Sequence, residues 1–279
     1  LQSHQMKKTC VSLLVSTALT ALSAHATAGL LDGARQIWTH QHAGTDGYLA
    51  EILSFDAGRN EIWVSGVSGI DILDARTGAL TTLYTECDGH PLYAPNDLVF
   101  DAHGGFYFTD HGLTVDRDDK ITGIYYAKAD GSSVREVVFP AHSPNGIGLS
   151  PDGTVLYWAE TMNGRLYRRR ISGPGEVVEG GLIDPWTCLY GFPGLQLLDS
   201  LAVDGDGNVC VATIVSGGVS VVSPDGELVE FVSTGDLLTT NICFGGADLR
   251  TAWITCSSTG TLLTMQWPRP GAPLNYLNC

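Results

Sequence analysis

Apolar runs of five or six residues recur along the chain, each following a single acidic or amide residue and ending at a short turn. Five copies read Glu51-Ile-Leu-Ser-Phe-Asp56, Asn96-Asp-Leu-Val-Phe-Asp101, Asn145-Gly-Ile-Gly-Leu-Ser150, Asp199-Ser-Leu-Ala-Val-Asp204 and Asn241-Ile-Cys-Phe-Gly-Gly246. A second apolar run follows each: Glu61-Ile-Trp-Val-Ser, Gly105-Phe-Tyr-Phe-Thr, Val155-Leu-Tyr-Trp-Ala, Asn208-Val-Cys-Val-Ala and Thr251-Ala-Trp-Ile-Thr. Runs of this length bounded by turn formers predict strands. The turns carry the right chemistry, as in Pro151-Asp-Gly153, Asp204-Gly-Asp-Gly207 and Pro224-Asp-Gly226. The polar lead residues fall 45, 49, 54 and 42 residues apart, the period of propeller blades built from about four strands. The pattern predicts an all-β fold, a β-propeller of four-stranded blades. Equivalent positions on the innermost strands then face one axis.

Composition agrees: 34 glycines, 16% charged residues and no long helical period beyond the N-terminal stretch. The formal net charge of −15, with no basic run longer than Arg168-Arg169-Arg170, excludes nucleic acid as a partner. Met6-Lys-Lys8, an apolar stretch to Ala21 and the small residues Ala24 to Ala28 read as a secretory signal peptide. That stretch is too short for a membrane span, and no other membrane segment is expected. Residues 1–28 are therefore assigned to a leader preceded by a short remnant, and residues 29–279 to one propeller domain, periplasmic or secreted. Of seven cysteines, six remain after the leader. Cys210, Cys243 and Cys256 lie inside apolar runs and read as small core residues. At most one bridge, involving Cys87 or Cys188, is expected.

Among motifs with known chemistry, Gly-x-Ser-x-Gly, His-Glu-x-x-His, a P-loop and a dinucleotide fingerprint are all absent from the sequence. What remains is the ring of lead residues. Asn and Asp also open strands simply by bonding the local backbone, so capping is the alternative reading of each copy. Carboxylate and amide oxygens without thiolate or imidazole describe a hard-cation site, Ca²⁺, Mg²⁺ or Mn²⁺ before Zn²⁺. Such an ion polarises an ester or lactone carbonyl, and a neighbouring carboxylate can take a proton from water. The same oxygens would equally hold a structural calcium. His111 and His142 could lie at the mouth of the channel, whereas His103 reads as surface.

From about Ala94 to Asn275 the chain resembles the senescence-marker-protein/gluconolactonase/luciferin-regenerating-enzyme family. The carriers are Pro95-Asn96-Asp97 through Asp110, Ser143-Pro-Asn145-Gly146, Leu156-Tyr-Trp-Ala-Glu160-Thr161 and Asp199-Ser-Leu-Ala-Val-Asp-Gly-Asp-Gly-Asn208. The resemblance implies six blades and one divalent cation on the axis, Ca²⁺ first, with Mg²⁺, Mn²⁺ or Zn²⁺ as alternatives. It implies a metal-dependent lactonase or ester hydrolase acting on a small molecule as a monomer. Glu51, Asn145 and Asp199 would hold the metal, and Asp199 would also be the catalytic base. Asn96 would bind the metal through water, or the substrate. Apart from the resemblance, Arg117 and the channel-mouth His111 are candidate substrate contacts by their place in the chain, with a solvated loop charge and a plain loop histidine as the alternative readings. The first third departs from the family. Ile52-Leu53 replaces a Gly-Pro, and Glu51 to Asn96 spans one repeat where the family has two, so five blades or an incomplete sixth would result. A non-catalytic propeller scaffold with a structural calcium is the alternative.

Overall fold

The computed structural model describes residues 35–39, 51–56, 61–66, 69–74, 79–115, 118–180 and 187–276. The proposed leader, Arg117 and Cys279 lie outside them. Every regular element among the described residues is a strand, and five sheets of four or more strands account for the repeats. Within each sheet consecutive strands pair antiparallel from the innermost outward, as propeller blades do. Blade one comprises Glu51–Asp56, Glu61–Gly66, Gly69–Asp74 and Leu80–Tyr84. Blade two comprises Pro95–Phe100, Gly105–Asp110, Thr122–Lys128 and Val134–Ala141. Blade three starts with Pro144–Leu149, Val155–Glu160 and Arg165–Gly173; both Glu176–Val177 and Cys188–Gly191 pair with the last of these. Blade four comprises Leu197–Val203, Val209–Ile214, Gly218–Val222 and Leu228–Ser233.

Blade five has only three strands of its own from this part of the chain, Thr239–Gly245, Thr251–Cys256 and Thr261–Gln266. Its fourth is Arg35–Thr39, which pairs antiparallel with Thr261–Gln266. The chain thus fastens its beginning to its last blade. Arg35–Thr39 is an outer strand of a blade formed by residues far along the chain. Five blades, rather than six, are present among the described residues.

Period-two alternation explains how the blades adhere. A second strand is covered on both faces, so it reads as a continuous apolar run. In blade two, Phe106 and Phe108 point into the core shared with Ile70, Tyr84 and Leu92, whereas Tyr107 points into the core shared with Ile147, Leu156 and Trp158. In blade three, Tyr157 and Ala159 face Leu198, Leu201 and Val211 of blade four. Cys210 and Val219 of blade four then face Ile242, Ile254 and Trp267 around blade five. Each such buried Phe or Leu contributes about 1.5–3 kcal/mol, so adhesion between blades is the main source of stability. Outer strands such as Leu228–Ser233 are mostly open to solvent, with Val232 alone buried in this one.

Cys210 and Cys256 are core residues as expected, but Cys243 is exposed because its strand lines a cavity. Cys87 and Cys188 are free thiols. The cavity, about 570 Å³, runs along the innermost strands from Asp97, Ile147, Leu201 and Asn241 to their turn end at Asp101–His103, Ser150–Thr154 and residues 272–275. The last described residues cross that end: Ala272 N–H donates to Val203 C=O (2.9 Å) and Asn275 Nδ2 to Phe100 C=O (2.8 Å).

Candidate functional site

The lead residues stand at the other end, where the innermost strands begin. In blades two, three and four the pairing of first and second strands slips at the same place. Pro95 pairs with Asp110 and Leu98 with Phe108, so Asn96 and Asp97 together oppose the single residue Thr109. Pro144 pairs with Glu160 and Ile147 with Trp158, leaving Asn145 and Gly146 against Ala159. Leu198 pairs with Thr213 and Leu201 with Val211, leaving Asp199 and Ser200 against Ala212. Two residues opposing one is a β-bulge, which breaks the alternation and re-aims a side chain. Three bulges at one level thus set Asn96, Asn145 and Asp199 apart from the strands that carry them.

Blades one and five are also bulged, but one step out of phase. In blade one Glu51 pairs in register with Ser65, and the extra residue is Leu53. In blade five the extra residue is Thr240, and Asn241 pairs with Thr255. Glu51 therefore heads its innermost strand without sharing the bulge of the other three; its side chain lies outside the described residues. Asn241 is exposed and lines the cavity along the innermost strands.

The three matching bulges interlock. Thr109 Oγ1 donates to the Asn145 carbonyl (2.7 Å) and accepts from Asp97 N–H (3.1 Å), tying blade two to blade three at the site. Asp97 is turned away from a catalytic role, since Oδ2 accepts from Ile147 N–H (3.2 Å) and Oδ1 from Leu98 N–H (2.8 Å). Gly146 lets blade three approach blade four: a Cβ there would lie 2.8 Å from Asp199 O and 2.5 Å from Leu201 N. Asn145 Nδ2 donates to Thr161 Oγ1 (3.3 Å), which fixes the amide so that its oxygen is the free end. Asp199 Oδ1 accepts from Ser200 N–H (3.0 Å).

The Oδ1 atoms of Asn96 and Asn145 are both buried with no hydrogen-bond donor. A buried unsatisfied carbonyl costs about 1–3 kcal/mol, so each of these oxygens calls for a donor or a cation. A hard cation fits: the donors are oxygens, and one carboxylate, Asp199, stands on the next strand. Among the described residues no three His, Cys, Asp or Glu side chains converge. The cation would accordingly rest on amide oxygens and Asp199, together with whatever Glu51 supplies.

Two buried acids flank this level without entering it. Asp110 has its pKa raised by burial, yet it accepts N–H bonds from Tyr93 (2.8 Å), Ala94 (2.7 Å) and Gly112 (3.1 Å), so it pins the approach to blade two. Glu160 is likewise raised by burial and is held by Trp158 Nε1 (3.3 Å) and by Asn163. His111 is placed above the head of blade two, its N–H donating to Ala94 C=O (2.8 Å), and burial lowers its pKa below 6.5. It is therefore a neutral imidazole at neutral pH. His103 and His142 are exposed. After the second strand of blade two the chain forms a small hairpin, Leu113–Val115 with Asp118–Lys120. Thr109, Thr161 and Gly146 support the site without being among its candidate ligands; of the three only Gly146 leaves a trace in the sequence, as part of Asn145-Gly146, two non-apolar residues where alternation calls for one.

Comparison with known proteins agrees with the propeller fold. Lactonase drp35 of Staphylococcus aureus (strain USA300) is 35% identical over 137 residues, which are 48% of this chain and 40% of that one. The chain therefore spans about two fifths of the length of the curated relatives it matches. A gluconolactonase from Xanthomonas campestris superposes with a TM-score of 0.63 at 24% identity, covering 77% of this chain and 70% of that one. A second structure, described as a putative gluconolactonase, superposes with a TM-score of 0.65 at 18% identity, covering 88% and 95%. At these identities the structures establish the propeller fold alone. The family model of the SMP-30/Gluconolactonase/LRE-like region matches residues 32–258, and on that extent the chain belongs to this family.

Proposed function

We propose that the protein hydrolyses lactones or related small esters at the level of the three matching bulges, with a divalent cation held there. The observation that carries this reading is the pair of buried, unsatisfied Asn96 and Asn145 oxygens on the innermost strands of blades two and three, with Asp199 at the matching bulge of blade four. Asn145 and Asp199 are the ligands read from this chain, joined by Glu51 if its side chain turns to the axis. Ca²⁺ suits an all-oxygen set best, with Mg²⁺, Mn²⁺ and Zn²⁺ as alternatives. When bound, the ion polarises the acyl carbonyl.

Asp199 takes one proton from water as the water oxygen bonds to the acyl carbon. The ring C–O bond then breaks, and the departing alkoxide recovers the proton to give the hydroxy acid. Asn96 orients the substrate, and neutral His111 lends a donor or acceptor at the mouth without adding charge. Arg117 is a further candidate contact. The mature chain is proposed to act outside the cytoplasm as a monomer, after loss of its leader. Membership of a lactonase family supports the reaction class.

The test is to strip the protein with a chelator, reload it with each cation and assay a panel of lactones and aryl esters. Metal-dependent turnover that is lost in Asp199→Ala supports the reading. Hydrolysis indifferent to metal, or unchanged in Asp199→Ala, overturns it. Stabilisation by the ion without turnover of any substrate favours the scaffold reading.

A further inference from the structure

The loops that carry the chain into and out of the site end of blades three, four and five form a contiguous rim. Phe192 N–H donates to Gly164 C=O (3.0 Å), Gln196 Nε2 to Ser216 Oγ (2.8 Å), Val215 N–H to Leu237 C=O (3.0 Å) and Ser257 N–H to Leu238 C=O (2.8 Å). Each blade's loop is thereby joined to the next.

Four large apolar side chains stand open on this rim: Met162 (67% exposed), Leu195 (75%), Val215 (41%) and Leu237 (51%). Leu195 lies four residues before Asp199 and Leu237 four before Asn241, so the patch borders the entrance rather than the outer wall.

The rim's polar groups are spent internally. Gln196 is bonded to Ser216, and Asn163 to Glu160. Ser258 Oγ and Thr259 Oγ1 both donate to Asp236, at 2.6 and 2.8 Å. Segments 161–164, 192–197, 215–217, 233–238 and 257–260 contain one ionisable side chain between them, Asp236, which is 4% exposed. In a chain with 45 Asp, Glu, Lys and Arg residues (30 plus 15), such a neutral rim is unusual. What it offers a ligand is apolar surface. A polyhydroxylated lactone would find few free partners there; the exposed Arg165, at the edge of segment 161–164, is a charge that flanks the rim.

We infer that this rim seats an apolar substituent of the substrate, so that the preferred substrates are lactones or esters carrying an alkyl or aryl group. The inference rests on the hydrolase reading above and adds the substrate class to it. Burying one CH₂ fully is worth about 0.8 kcal/mol, or roughly four-fold in a rate or binding constant; a seat open on one side should return about half that free energy, roughly two-fold.

The test is a series of γ-butyrolactones whose γ-alkyl chain lengthens by one CH₂ at a time, assayed on the cation-loaded enzyme. The expected result is a rise in kcat/KM of about two-fold per CH₂, flattened in Leu195→Ser/Leu237→Ser and unaltered in Leu228→Ser/Val229→Ser, an exposed apolar pair on the outer strand of blade four. Should the double variant fold poorly, single Leu195→Gln carries the same comparison. The matching γ-alkyl lactams, measured by calorimetric binding, separate the two ideas. Turnover with a flat chain-length series refutes the apolar seat and leaves the hydrolase. No turnover, but lactam affinity that rises with chain length and collapses in the rim variant, refutes the hydrolase and leaves the seat. Absence of both effects refutes the seat as well.

Discussion

Gly146→Ala tests the interlocking of the bulges, because it adds one carbon where blade three meets the strand bearing Asp199. That carbon would stand 2.5 Å from Leu201 N, 2.7 Å from the Ser200 carbonyl carbon and 2.8 Å from Asp199 O. All three are backbone atoms, so no side chain can swing aside. Ordinary contact needs about 3.5–4.0 Å, so the two innermost strands must part by roughly an ångström. Overpacking of this kind costs about 1–3 kcal/mol, against which replacing Gly by Ala returns up to about 1 kcal/mol through the unfolded chain. The net loss of about 1–2 kcal/mol lowers Tm by about 2–8 °C for a domain of this size. The larger effect is on chemistry, since an ångström of misplacement between Asp199 and Asn145 lowers kcat/KM by about 10²-fold. Thermal unfolding, cation titration and steady-state kinetics of the two proteins make the comparison. Gly153→Ala is the control. It sits in a turn at the far end with φ of +69° and no atom near its Cβ, so it loses stability by backbone strain alone. If Gly146→Ala leaves cation affinity and kcat/KM intact while Tm falls as in the control, the bulges do not build the site.

Asp199→Asn keeps an oxygen ligand but removes the base, so turnover falls by at least about 10²-fold while cation affinity, read by calorimetry, falls much less. Thr109→Val strands the buried Asn145 carbonyl that its hydroxyl serves; chemical unfolding should register a loss of about 2 kcal/mol, with weaker cation binding. Asp236→Ala removes the acceptor for the backbone N–H groups of Leu238, Ser258 and Thr259 and for two hydroxyls. It should cost about 3 kcal/mol by the same assay and, through the loosened rim, blunt the chain-length dependence. His111 has a folded pKa below its unfolded value of 6.5. Below pH 6.5 the unfolded chain therefore binds the proton first, and stability falls as pH drops from 6.5 toward the folded pKa. Tm in that window should decline less in His111→Asn than in the wild type. Asp110 and Glu160, whose pKa values are raised, have the opposite sign: their burial penalty fades as pH falls through the raised values.

The hairpins were legible because each strand states its own period. Gly105–Asp110 and Val155–Glu160 are apolar on both faces, and the turns between strands are marked by Asp and Gly. Asn96, Asn145 and Asp199 were legible as a set because each follows a loop and opens a run of the same length. The origin of the outer strand of blade five was not. Arg35–Thr39 pairs with residues more than two hundred positions later, and an edge strand with one partner carries no sequence mark of which edge it joins.

The bulges were hidden for a deeper reason. A bulge is a property of two strands in register, whereas a sequence shows one strand at a time. Glu51 and Asn145 hold the same offset from their turns, yet the slip falls at Leu53 in one blade and at Asn145-Gly146 in the other. The offset therefore predicted five equivalent residues where pairing makes only three. The dipeptide at the lead tells them apart. Asn-Asp, Asn-Gly and Asp-Ser place two non-apolar residues side by side, which a regular half-buried strand does not favour, whereas Glu51-Ile52 keeps the alternation and Asn241-Ile242 resumes it. Inserting the bulge one residue earlier in blade one, by replacing Ile52-Leu53 with Gly-Pro, should bring Glu51 into the phase of the other leads. On this reasoning that variant binds its cation more tightly than the parent. An unchanged cation affinity would mean that position on the bulge does not decide which lead residues reach the ion.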